Sequence, residues 1–593
     1  MQNDSTNTIN DDLPMPDGSA PAPAPAPAPT APSALAPVSA NERIGVLDVI
    51  RGFALIGIFL MNIEFFNRAV GELGEGMPAG LTGLNWLASY VIAYFVAGKF
   101  WTIFSLLFGM GFALMLTRTE AKGQNFLKPY LRRLIALAIF GLLHHILIWP
   151  GDILFSYAIA AGGLLLILFA KIRWIFLAAI VLALFAAIPA LNQVGAIAVA
   201  LALLGGMTFL LRTEAVLKFF GKTMPITSAV LCVMGGIALL ISLGGFFIPA
   251  MKAVRGLIFS AGFFFLLAYI LARSHQPKEV RPWKIGSLLY CTLFISMIIG
   301  GSFEYWGTKE TPTIASETGP QIENVVSSAP AASAASNAVM ANASNPAAPS
   351  DAAKRKIAAA EQKKKQVEQE KKKEADNKLE VQILTKGTYL DAMKFRAKEF
   401  AENWPNVTIF SVLINCMFLI GFWFVRSGIM DNTKAHLPMF RRLALFGLPI
   451  GIGLGVAGSL ITTAPVKGMD NDPFTLATGL LYLGNLPACL GYVSVLILMF
   501  NSAGVFAKVK LLAPYGRMAL TNYLSQSIIC SAVFYSYGLG YYGMQRSHQV
   551  VFVFIVVILQ LMFSHWWLSK FRYGPMEWLW RAVTYWKLPA FKI

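Results

Sequence analysis

Residues 43–66 read RIGVLDVIRGFALIGIFLMNIEFF, a mostly apolar run that is long enough to cross a bilayer. A membrane-spanning helix needs about 20 mostly apolar residues to cover about 30 Å of hydrocarbon. Similar runs recur along the 593 residues, which are 56% hydrophobic and 13% charged, with a mean hydropathy of +0.59. This balance excludes a water-soluble globular enzyme. The sequence predicts an all-α, polytopic integral membrane helix bundle.

The apolar runs predict about fourteen membrane spans, within about two of that number. The third to sixth runs follow one another so closely that two of them could be re-entrant. A membrane β-barrel is excluded, because the runs show no alternation of apolar and polar residues. The predicted spans begin near residues 46, 93, 130, 152, 174, 194, 226, 253, 284, 406, 440, 474, 516 and 549.

Two biased stretches divide the chain into four predicted parts. Residues 1–42 carry a PAPAPAPAP repeat, and residues 303–405 pass from an Ala/Ser/Pro/Asn-rich segment into one dense in Lys, Glu, Gln and Ala. We expect the first stretch to be a disordered tail and the second to be an extramembrane insertion that ends in a charged helix. Residues 43–302 and 406–593 then form the N-terminal and C-terminal membrane helices.

The positive charge of the chain is explained by topology. The formal charge is +18, from 49 Lys and Arg against 31 Asp and Glu. The basic residues lie between apolar segments, so they form no basic face of the kind that binds nucleic acid, and we expect no nucleic-acid partner. Outside the long insertion, most of them fall on one side of the bilayer. The positive-inside rule then predicts both termini in the cytoplasm and the insertion outside.

The cysteine pattern gives no sign of a metal centre. The five cysteines are scattered, four of them inside apolar runs, without CxxC or Cys/His spacing. Such spacing is what indicates a zinc site or a disulfide framework. We therefore expect no metal site, and no motif in the chain indicates a bound cofactor.

The strongest local signal is FGLLHHILIWPGDIL at 140–154, where two histidines near the predicted outer end of a span precede an aspartate beyond a Pro-Gly turn. A histidine oriented by a carboxylate can act as a general base near neutral pH. We expect His144 to be that base, with Asp152 or Glu64 as its partner and Lys99 at similar depth as a third catalytic residue. The side chains expected to contact an outer-face substrate are Asn62, Glu64 and His145. Alternatively, the histidines bond to loop carbonyls and Lys99 snorkels to the membrane surface.

A second group of ionisable residues is predicted at the opposite face, some 20 Å or more from His144. Asp48 and Arg51 are three residues apart on one face of the first span, so they can pair. We expect this inner mouth to hold an anionic donor through charge-assisted bonds. The residues expected there are Asp48, Arg51, Arg132, Arg133, Glu577 and Arg581. The alternative is a structural ion pair together with basic anchors and an aromatic belt.

The segment GRMALTNYLSQSIICS at 516–531 places two amides one helical turn apart inside a predicted span. Asn522 and Gln526 must face the bundle, because lipid would leave their amides without hydrogen bonds. We expect them to contact substrate. Hydrogen bonding between helices is the alternative.

Several of these segments together resemble the YeiB-like family of bacterial inner-membrane proteins, which carries a domain of unknown function (DUF418). The segments are LDVIRGFALIGIFLMN, GKFWTIFSLLFGMGFAL, LLHHILIWPGDILFSYAIA, GRMALTNYLSQS and FRYGPMEWLWRAVTYWK. The resemblance covers roughly residues 43–175 and 385–590, while the helices between about 190 and 300, the insertion and the tail depart from the family pattern. It implies a multi-pass protein of the bacterial inner membrane. The matching motif positions are Leu47, Arg51, Gly52, Lys99, Phe100, His144, 151–154, 521–523, Gln526, Ser527 and 577–581.

The family is in turn similar, more distantly, to the transmembrane acyltransferases. That similarity implies acyl-CoA as a co-substrate from the cytosol and a small-molecule or glycan acceptor from the other side. We therefore expect a membrane-embedded acyltransferase in which His144 is the base, Asp152 orients it, and Lys99 and Asn522 polarise the acyl carbonyl. One alternative is a transporter or permease for a small anionic or amphiphilic solute. Another is a sensor or assembly platform that acts through its insertion.

Overall fold

The structure, a computed structural model, describes residues 44–74, 76–78, 80–188, 191–219, 222–247, 257–274, 280–306, 351–462 and 473–593. Helices make up most of these ranges. In chain order they are α1 (Gly45–Asn62), α2 (Gly83–Val91), α3 (Lys99–Ala121), α4 (Leu127–Leu147), α5 (Leu154–Phe169), α6 (Ile172–Ala186), α7 (Val194–Arg212), α8 (Ile226–Phe247), α9 (Leu257–Ser274), α10 (Arg281–Trp306), α11 (Asp351–Lys386), α12 (Tyr389–Arg426), α13 (Leu437–Thr462), α14 (Phe474–Phe500), α15 (Leu512–Arg517), α16 (Ala519–Phe534), α17 (Arg546–Lys570) and α18 (Pro575–Tyr585).

Short elements of other kinds join these helices. Three 3₁₀-helices cover Ile63–Phe66, Val70–Glu72 and Phe506–Leu511, and a π-helical turn covers Ile92–Val96. Two strands, β1 (Val216–Phe219) and β2 (Lys222–Pro225), pair antiparallel between α7 and α8, with Val216 opposite Pro225. This hairpin is a small departure from an all-helical chain.

Ten helical segments within the described ranges are long and apolar enough to cross a membrane, which confirms the all-α polytopic bundle. They are Gly45–Phe66, Gly83–Ala121, Leu127–Leu147, Val194–Arg212, Ile226–Gly245, Arg281–Ser302, Tyr389–Arg426, Leu437–Ile461, Phe474–Phe500 and Arg546–Lys570. The count of about fourteen spans stays a prediction. The runs expected to span from 152 and 174 form helices of 16 and 15 residues, which are shorter than the hydrocarbon thickness at about 1.5 Å per residue.

The predicted insertion leads directly into a membrane-length helix. Thr388 caps α12 by accepting a hydrogen bond from the backbone of Asp391, whose side chain accepts one from the backbone of Thr388. The helix continues through Pro405, so it crosses the predicted boundary between 405 and 406. That boundary stays a prediction. The predicted tail, 1–42, and the insertion residues 307–350 lie outside the described residues.

The centre of the bundle contains a close contact between α3 and α12, where glycines let two backbones approach. A Cβ atom added at Gly109 would overlap the backbone of Phe418, and one added at Gly421 would overlap the backbone of Leu106. Beside this contact the rings of Phe108 and Phe418 stack with centroids 5.9 Å apart. Because lipid is as apolar as these side chains, close packing rather than the hydrophobic effect holds the two helices together.

Replacing Gly109 with alanine should force α3 away from α12, because the added methyl group meets backbone atoms of Phe418 that have no alternative rotamer. Overpacking of this kind costs about 1–3 kcal/mol. We expect a lower midpoint in thermal unfolding of the purified protein. Gly111→Ala is the matched control, since a Cβ at Gly111 meets nothing within 4 Å. Equal midpoints for the two variants would contradict this packing.

Candidate functional site

His144 and Asp152 form a buried pair at the end of α4. Nδ1 of the imidazole lies 2.9 Å from Oδ1 of the carboxylate, and the two side chains are 1% and 0% exposed. The other oxygen of Asp152 accepts a hydrogen bond from the backbone N–H of Phe155 at 2.8 Å, so the first turn of α5 fixes the carboxylate. When Asp152 is ionised, Nδ1 carries the proton and Nε2 keeps a free lone pair.

The second nitrogen of this imidazole is buried among aromatic rings. Nε2 of His144 has no hydrogen-bond partner in the described part of the chain. The Tyr523 ring, from α16, lies 5.2 Å from the imidazole between centroids, and the Trp149 ring lies 6.4 Å away. The indole N–H of Trp149 donates to the carbonyl of Phe65, which fixes that ring. We call His144, Asp152 and Tyr523 the histidine cluster.

Sequence reasoning did not select Tyr523 as a site residue. The resemblance covers it inside the Thr-Asn-Tyr motif, but its neighbour Asn522 carries an amide, which is the more unusual group in a membrane helix. Consecutive helical residues point in different directions, so only one of the two can face His144. The presence of Tyr523 in that motif was the one signal in the sequence that could have identified it.

Asn522 and Gln526 lie on a different face of α16 and bond to α15 and α17. Nδ2 of Asn522 donates to the Tyr515 carbonyl and to Oγ of Ser564, both at 3.1 Å. Nε2 of Gln526 donates to the Tyr515 hydroxyl at 2.8 Å and to Oε1 of Gln560 at 3.1 Å. These hydrogen bonds join α16 to α15 and α17. Such bonding between helices is the alternative given above for the two amides. A role of the two amides in substrate binding or carbonyl polarisation stays a prediction.

His145 points away from its neighbour. Its Nε2 lies 3.0 Å from Oε2 of Glu399 on α12, and its ring packs edge-on against Phe400 with centroids 5.0 Å apart. Successive residues of a helix diverge by about 100°. The two histidines therefore contact different helices, and only His144 joins the histidine cluster.

Asn62 is the last residue of α1, and Glu64 lies in the 3₁₀-helix that follows it. The Glu64 carboxylate forms ion pairs with Arg68 at 2.6 Å and with Arg546 at 3.1 Å. Arg68 also pairs with Glu72, so this network joins the end of α1 to the start of α17. Asn62 is buried in the last turn of α1. Contact of either residue with substrate stays a prediction.

Lys99 begins α3 and is fully buried, so its side chain does not snorkel to the protein surface. Its Nζ atom makes no hydrogen bond or ion pair within the described ranges. The structure therefore places Lys99 at the start of its helix without a direct bond to His144 or Asp152. Of the three residues predicted to act together, His144 and Asp152 form a pair, and the amine of Lys99 is separate from them.

The first turn of α1 lies at the opposite end of the bundle from the histidine cluster. Phe66, just beyond the other end of α1, stacks on Trp149 with centroids 4.5 Å apart, and 18 helical residues extend about 27 Å. At this opposite end Arg51 pairs with Asp48 at 2.7 Å and remains 32% exposed. Its guanidinium therefore keeps donors available for an anion.

Glu577 lies in the same region but is occupied in capping α16. Its Oε1 atom accepts from the backbone N–H groups of Leu520 at 2.7 Å and Thr521 at 3.1 Å, and Oε2 accepts from the Thr521 hydroxyl at 2.6 Å. Burial raises the pKa of Glu577, and these hydrogen bonds act against the shift. The carboxylate satisfies N–H groups that a helix start leaves free.

The other predicted donor-binding cations lie over aromatic rings. Arg133 is 4.3 Å from the ring centre of Trp580, Arg132 is 5.4 Å from that of Trp586, and Arg581 is 4.6 Å from that of Tyr573. This arrangement is typical of the interfacial anchors that formed the alternative interpretation. Arg51, which is partly exposed, and Arg132, which is exposed, are arginines of this group that a ligand can reach.

Side chains of α11 and α12 cover the end of α4 beside His144. Arg396 donates from Nε to the Ile146 carbonyl at 2.9 Å and from a terminal nitrogen to the Leu147 carbonyl at 3.2 Å. The Tyr389 hydroxyl donates to the same Leu147 carbonyl at 2.9 Å. These bonds satisfy carbonyls that a helix end leaves free. We call Tyr389, Arg396 and Glu380 of α11 the cap.

Glu380 joins α11 to the 3₁₀-helix that begins at Val70. Its Oε2 atom accepts from the backbone N–H of Val70 at 3.1 Å. A small cavity beside it is lined by Pro150, Glu380, Ile383, Leu384, Ala392, Phe395 and Arg396. Burial raises the pKa of Glu380 to about 8; the Val70 N–H and Arg396 lower it, whereas Glu399 and Glu72 raise it further.

The contact of α11 with the bundle should weaken as pH rises from about 4.5 to above 8. Below this range Glu380 is protonated in both states, whereas at higher pH exposure releases a carboxylate that burial disfavours. From pH 6 to 9 the expected loss is about 3 kcal/mol. Amide hydrogen exchange of residues 379–386, corrected for intrinsic rates, measures it.

Glu380→Gln should make that exchange independent of pH. Glu374→Gln is the control on the same helix, because Glu374 pairs with Lys378 in solvent. Equal protection of the wild-type segment at pH 6 and pH 9 would rule out a titrating Glu380 at this contact.

Metal ligation has no candidate among the residues that the structure describes. No group of three or more His, Cys, Asp or Glu side chains there is placed to hold an ion. The five cysteines are free thiols, three of them buried.

Membrane-length helices that bury ionisable and amide side chains between them define a polytopic membrane protein with polar sites inside its bundle. Residues 424–587 match the family model described as "Protein of unknown function (DUF418)". Over this C-terminal part the chain is similar to the YeiB-like proteins of this family. No solved structure matches it.

Two bacterial proteins are also similar to the chain. The "Uncharacterized protein YxaH" of Bacillus subtilis (strain 168) is 26% identical over 559 residues, which is 93% of this chain and 97% of that protein. The "Uncharacterized protein YeiB" of Escherichia coli (strain K12) is 42% identical over 171 residues, 28% of this chain and 43% of that protein.

Proposed function

We propose that the protein is a membrane-embedded acyltransferase that moves an acyl group from acyl-CoA to a hydroxyl or amine of a small-molecule or glycan acceptor. The observation that carries this proposal is the buried His144–Asp152 pair, with one imidazole nitrogen held by the carboxylate and the other without a partner among the described residues. A base that is oriented and desolvated in this way suits proton abstraction from an acceptor.

The proposed reaction uses His144 as a general base. Nε2 takes the proton of the acceptor, the acceptor oxygen or nitrogen bonds to the thioester carbonyl carbon, and the carbon–sulfur bond breaks. The proton on Nε2 then passes to the leaving thiolate of coenzyme A. Asp152 stabilises the imidazolium and keeps its orientation without taking the proton itself.

The proposed donor site is at the other end of the bundle. The partly exposed guanidinium of Arg51 supports this assignment, since phosphate groups of acyl-CoA favour charge-assisted bonds to arginine. Arg132 and Arg133 supply further positive charge nearby, although both stack on tryptophans. The acceptor is proposed to approach from the end that the cap covers.

We also propose that the protein lies in the inner membrane of a bacterium with both termini in the cytoplasm. The distribution of Lys and Arg between the short loops supports this orientation, and the relatives named above are bacterial proteins. In that orientation the donor end meets the cytosol.

A transporter for a small anionic or amphiphilic solute is the second candidate. It is supported by Lys99 and Asn485, two fully buried polar side chains in membrane-length helices whose polar atoms have no partners in the described ranges. Ionisable groups inside spans often mark substrate pathways. Solute uptake into proteoliposomes that lack acyl-CoA would favour transport, whereas thioester cleavage would favour the enzyme.

His144→Ala should lower acyl-CoA turnover by about 10²–10⁴-fold, the usual contribution of general base catalysis. Release of free thiol, measured with purified protein, a series of acyl-CoA donors and bacterial envelope extract as the acceptor, gives the readout. Asp152→Asn should also lower the rate, because an amide no longer fixes the tautomer.

The matched control is His548→Ala, since His548 is an exposed histidine at the start of α17. Its rate should equal that of the wild type. Full activity in His144→Ala, or a wild-type protein that cleaves none of the thioesters, would overturn the acyltransferase proposal.

Arg51→Ala should weaken acyl-CoA binding by about tenfold or more, because one charge-assisted contact to phosphate contributes about 1.5–3 kcal/mol. Titration of the protein in nanodiscs with a non-hydrolysable acyl-CoA analogue measures the dissociation constant. Arg441→Ala is the control, since Arg441 is exposed at the start of α13. Equal dissociation constants for the wild type and Arg51→Ala would remove Arg51 from the donor site.

A further inference from the structure

Lys99 occupies an unusual backbone position. It is the first residue of α3, and it follows Gly98, whose φ of 79° is readily adopted by glycine, and the π-helical turn Ile92–Val96. Its side chain is 0% exposed, and Nζ has no partner within the described ranges. Charged groups in membrane helices are costly and are usually paired or part of a pathway. Packing of α3 alone gives no reason for an amine here.

A second group without a partner packs against the residue that precedes Lys99. Asn485 of α14 is 0% exposed, and neither Oδ1 nor Nδ2 of its amide meets a hydrogen-bond partner in the part of the chain that the structure describes. A Cβ atom added at Gly98 would overlap this amide, so Asn485 packs directly against the residue that precedes Lys99. Buried amides normally have hydrogen bonds, and an exception requires an explanation.

The amine and the amide belong to one interface, formed by α3, α13 and α14. A Cβ atom added at Gly455 of α13 would lie 3.7 Å from Nζ of Lys99 and 3.8 Å from Leu481, which is one turn before Asn485 on α14. Each of the two facing helices has a proline inside, Pro449 in α13 and Pro487 in α14. Each proline removes one N–H donor from the interior of its helix.

The polar groups of this interface favour a negative ligand. Lys99 offers an ammonium, Asn485 an amide with two N–H groups, and the first turn of α3 has backbone N–H groups without helical acceptors. The positive end of the helix dipole adds to the attraction. No carboxylate in the described ranges pairs with Lys99, so the described residues supply no counter-charge there.

We propose that Lys99 and Asn485 form a binding site for an oxyanion group, a carboxylate or a phosphate, that enters between α3, α13 and α14. The oxyanion accepts from Nζ and from the Asn485 amide, which gives both groups the partners that they lack. This site is separate from the histidine cluster and does not depend on acyl transfer. The anion comes either from a soluble molecule or from a lipid headgroup.

Thermal unfolding of the full chain in detergent tests the site. Sodium butyrate and inorganic phosphate serve as soluble probes at constant ionic strength, and phosphatidylglycerol against phosphatidylcholine serves as the lipid probe. We expect at least one anionic probe to raise the wild-type midpoint by about 2 °C or more. A response to the soluble probes alone indicates a soluble ligand, and a response to phosphatidylglycerol alone indicates a headgroup.

Lys99→Met should abolish this response and raise the midpoint without ligand, because it removes a buried amine that lacks a partner. Asn485→Leu should reduce the response. Lys122→Met is the control, since Lys122 is exposed just beyond the other end of α3, and it should respond like the wild type. A wild type that responds to none of the probes, or an unchanged response in Lys99→Met, would overturn the proposal.

A second measurement covers the case in which Lys99→Met does not fold. The ¹⁵N resonance of Lys99 Nζ, assigned by its loss in Lys99→Arg, should shift on titration with the anion that stabilises the wild type. A resonance that stays constant across that titration would also overturn the proposal.

Discussion

The absence of water in the bilayer core is the constraint on which this structure depends, because every polar group there must find a partner within the protein. The cluster of Asn522, Gln526 and Gln560 meets it by bonding the amides to one another and to Tyr515. Glu577 satisfies the same constraint, because its carboxylate accepts hydrogen bonds from the start of α16. Polar residues in the spans are thus not evidence of chemistry by themselves. The groups that remain without partners are the informative ones.

That distinction separates residues that look equivalent in the sequence. Glu64 and Asp152 are both carboxylates near the same end of the bundle, yet Glu64 is shared by two guanidinium groups and Asp152 is bonded to an imidazole. The Glu64 carboxylate therefore links the end of the first span to the start of α17, whereas the Asp152 carboxylate fixes the orientation of an imidazole. Only the second arrangement includes a ring nitrogen that has no hydrogen-bond partner in the described ranges.

The fold was predictable because a long apolar run that crosses a bilayer can satisfy its own backbone hydrogen bonds only as a helix. The pairing of His144 with Asp152 was also within reach, since a Pro-Gly turn between two helices brings nearby residues together. The separation of Lys99 from that pair was not. The helical rise gives a residue's depth, but the direction of its side chain relative to other helices depends on how the helices pack. Asn485 lacked even a local signal, because one amide in an apolar run usually bonds to a neighbouring helix.

The cap links the charged segment of the chain to the candidate site. The last turns of α11 bury Glu380 and Leu384, whereas the residues from Lys371 to Lys373 are exposed. The buried turns pack near Pro150, within the loop that connects His144 to Asp152. His144 is only 1% exposed, and under the proposed function the acceptor arrives from this end. The bonds from Arg396 and Tyr389 to the α4 carbonyls lie on that proposed approach, although the described residues of the insertion supply no hydrogen bond to the imidazole.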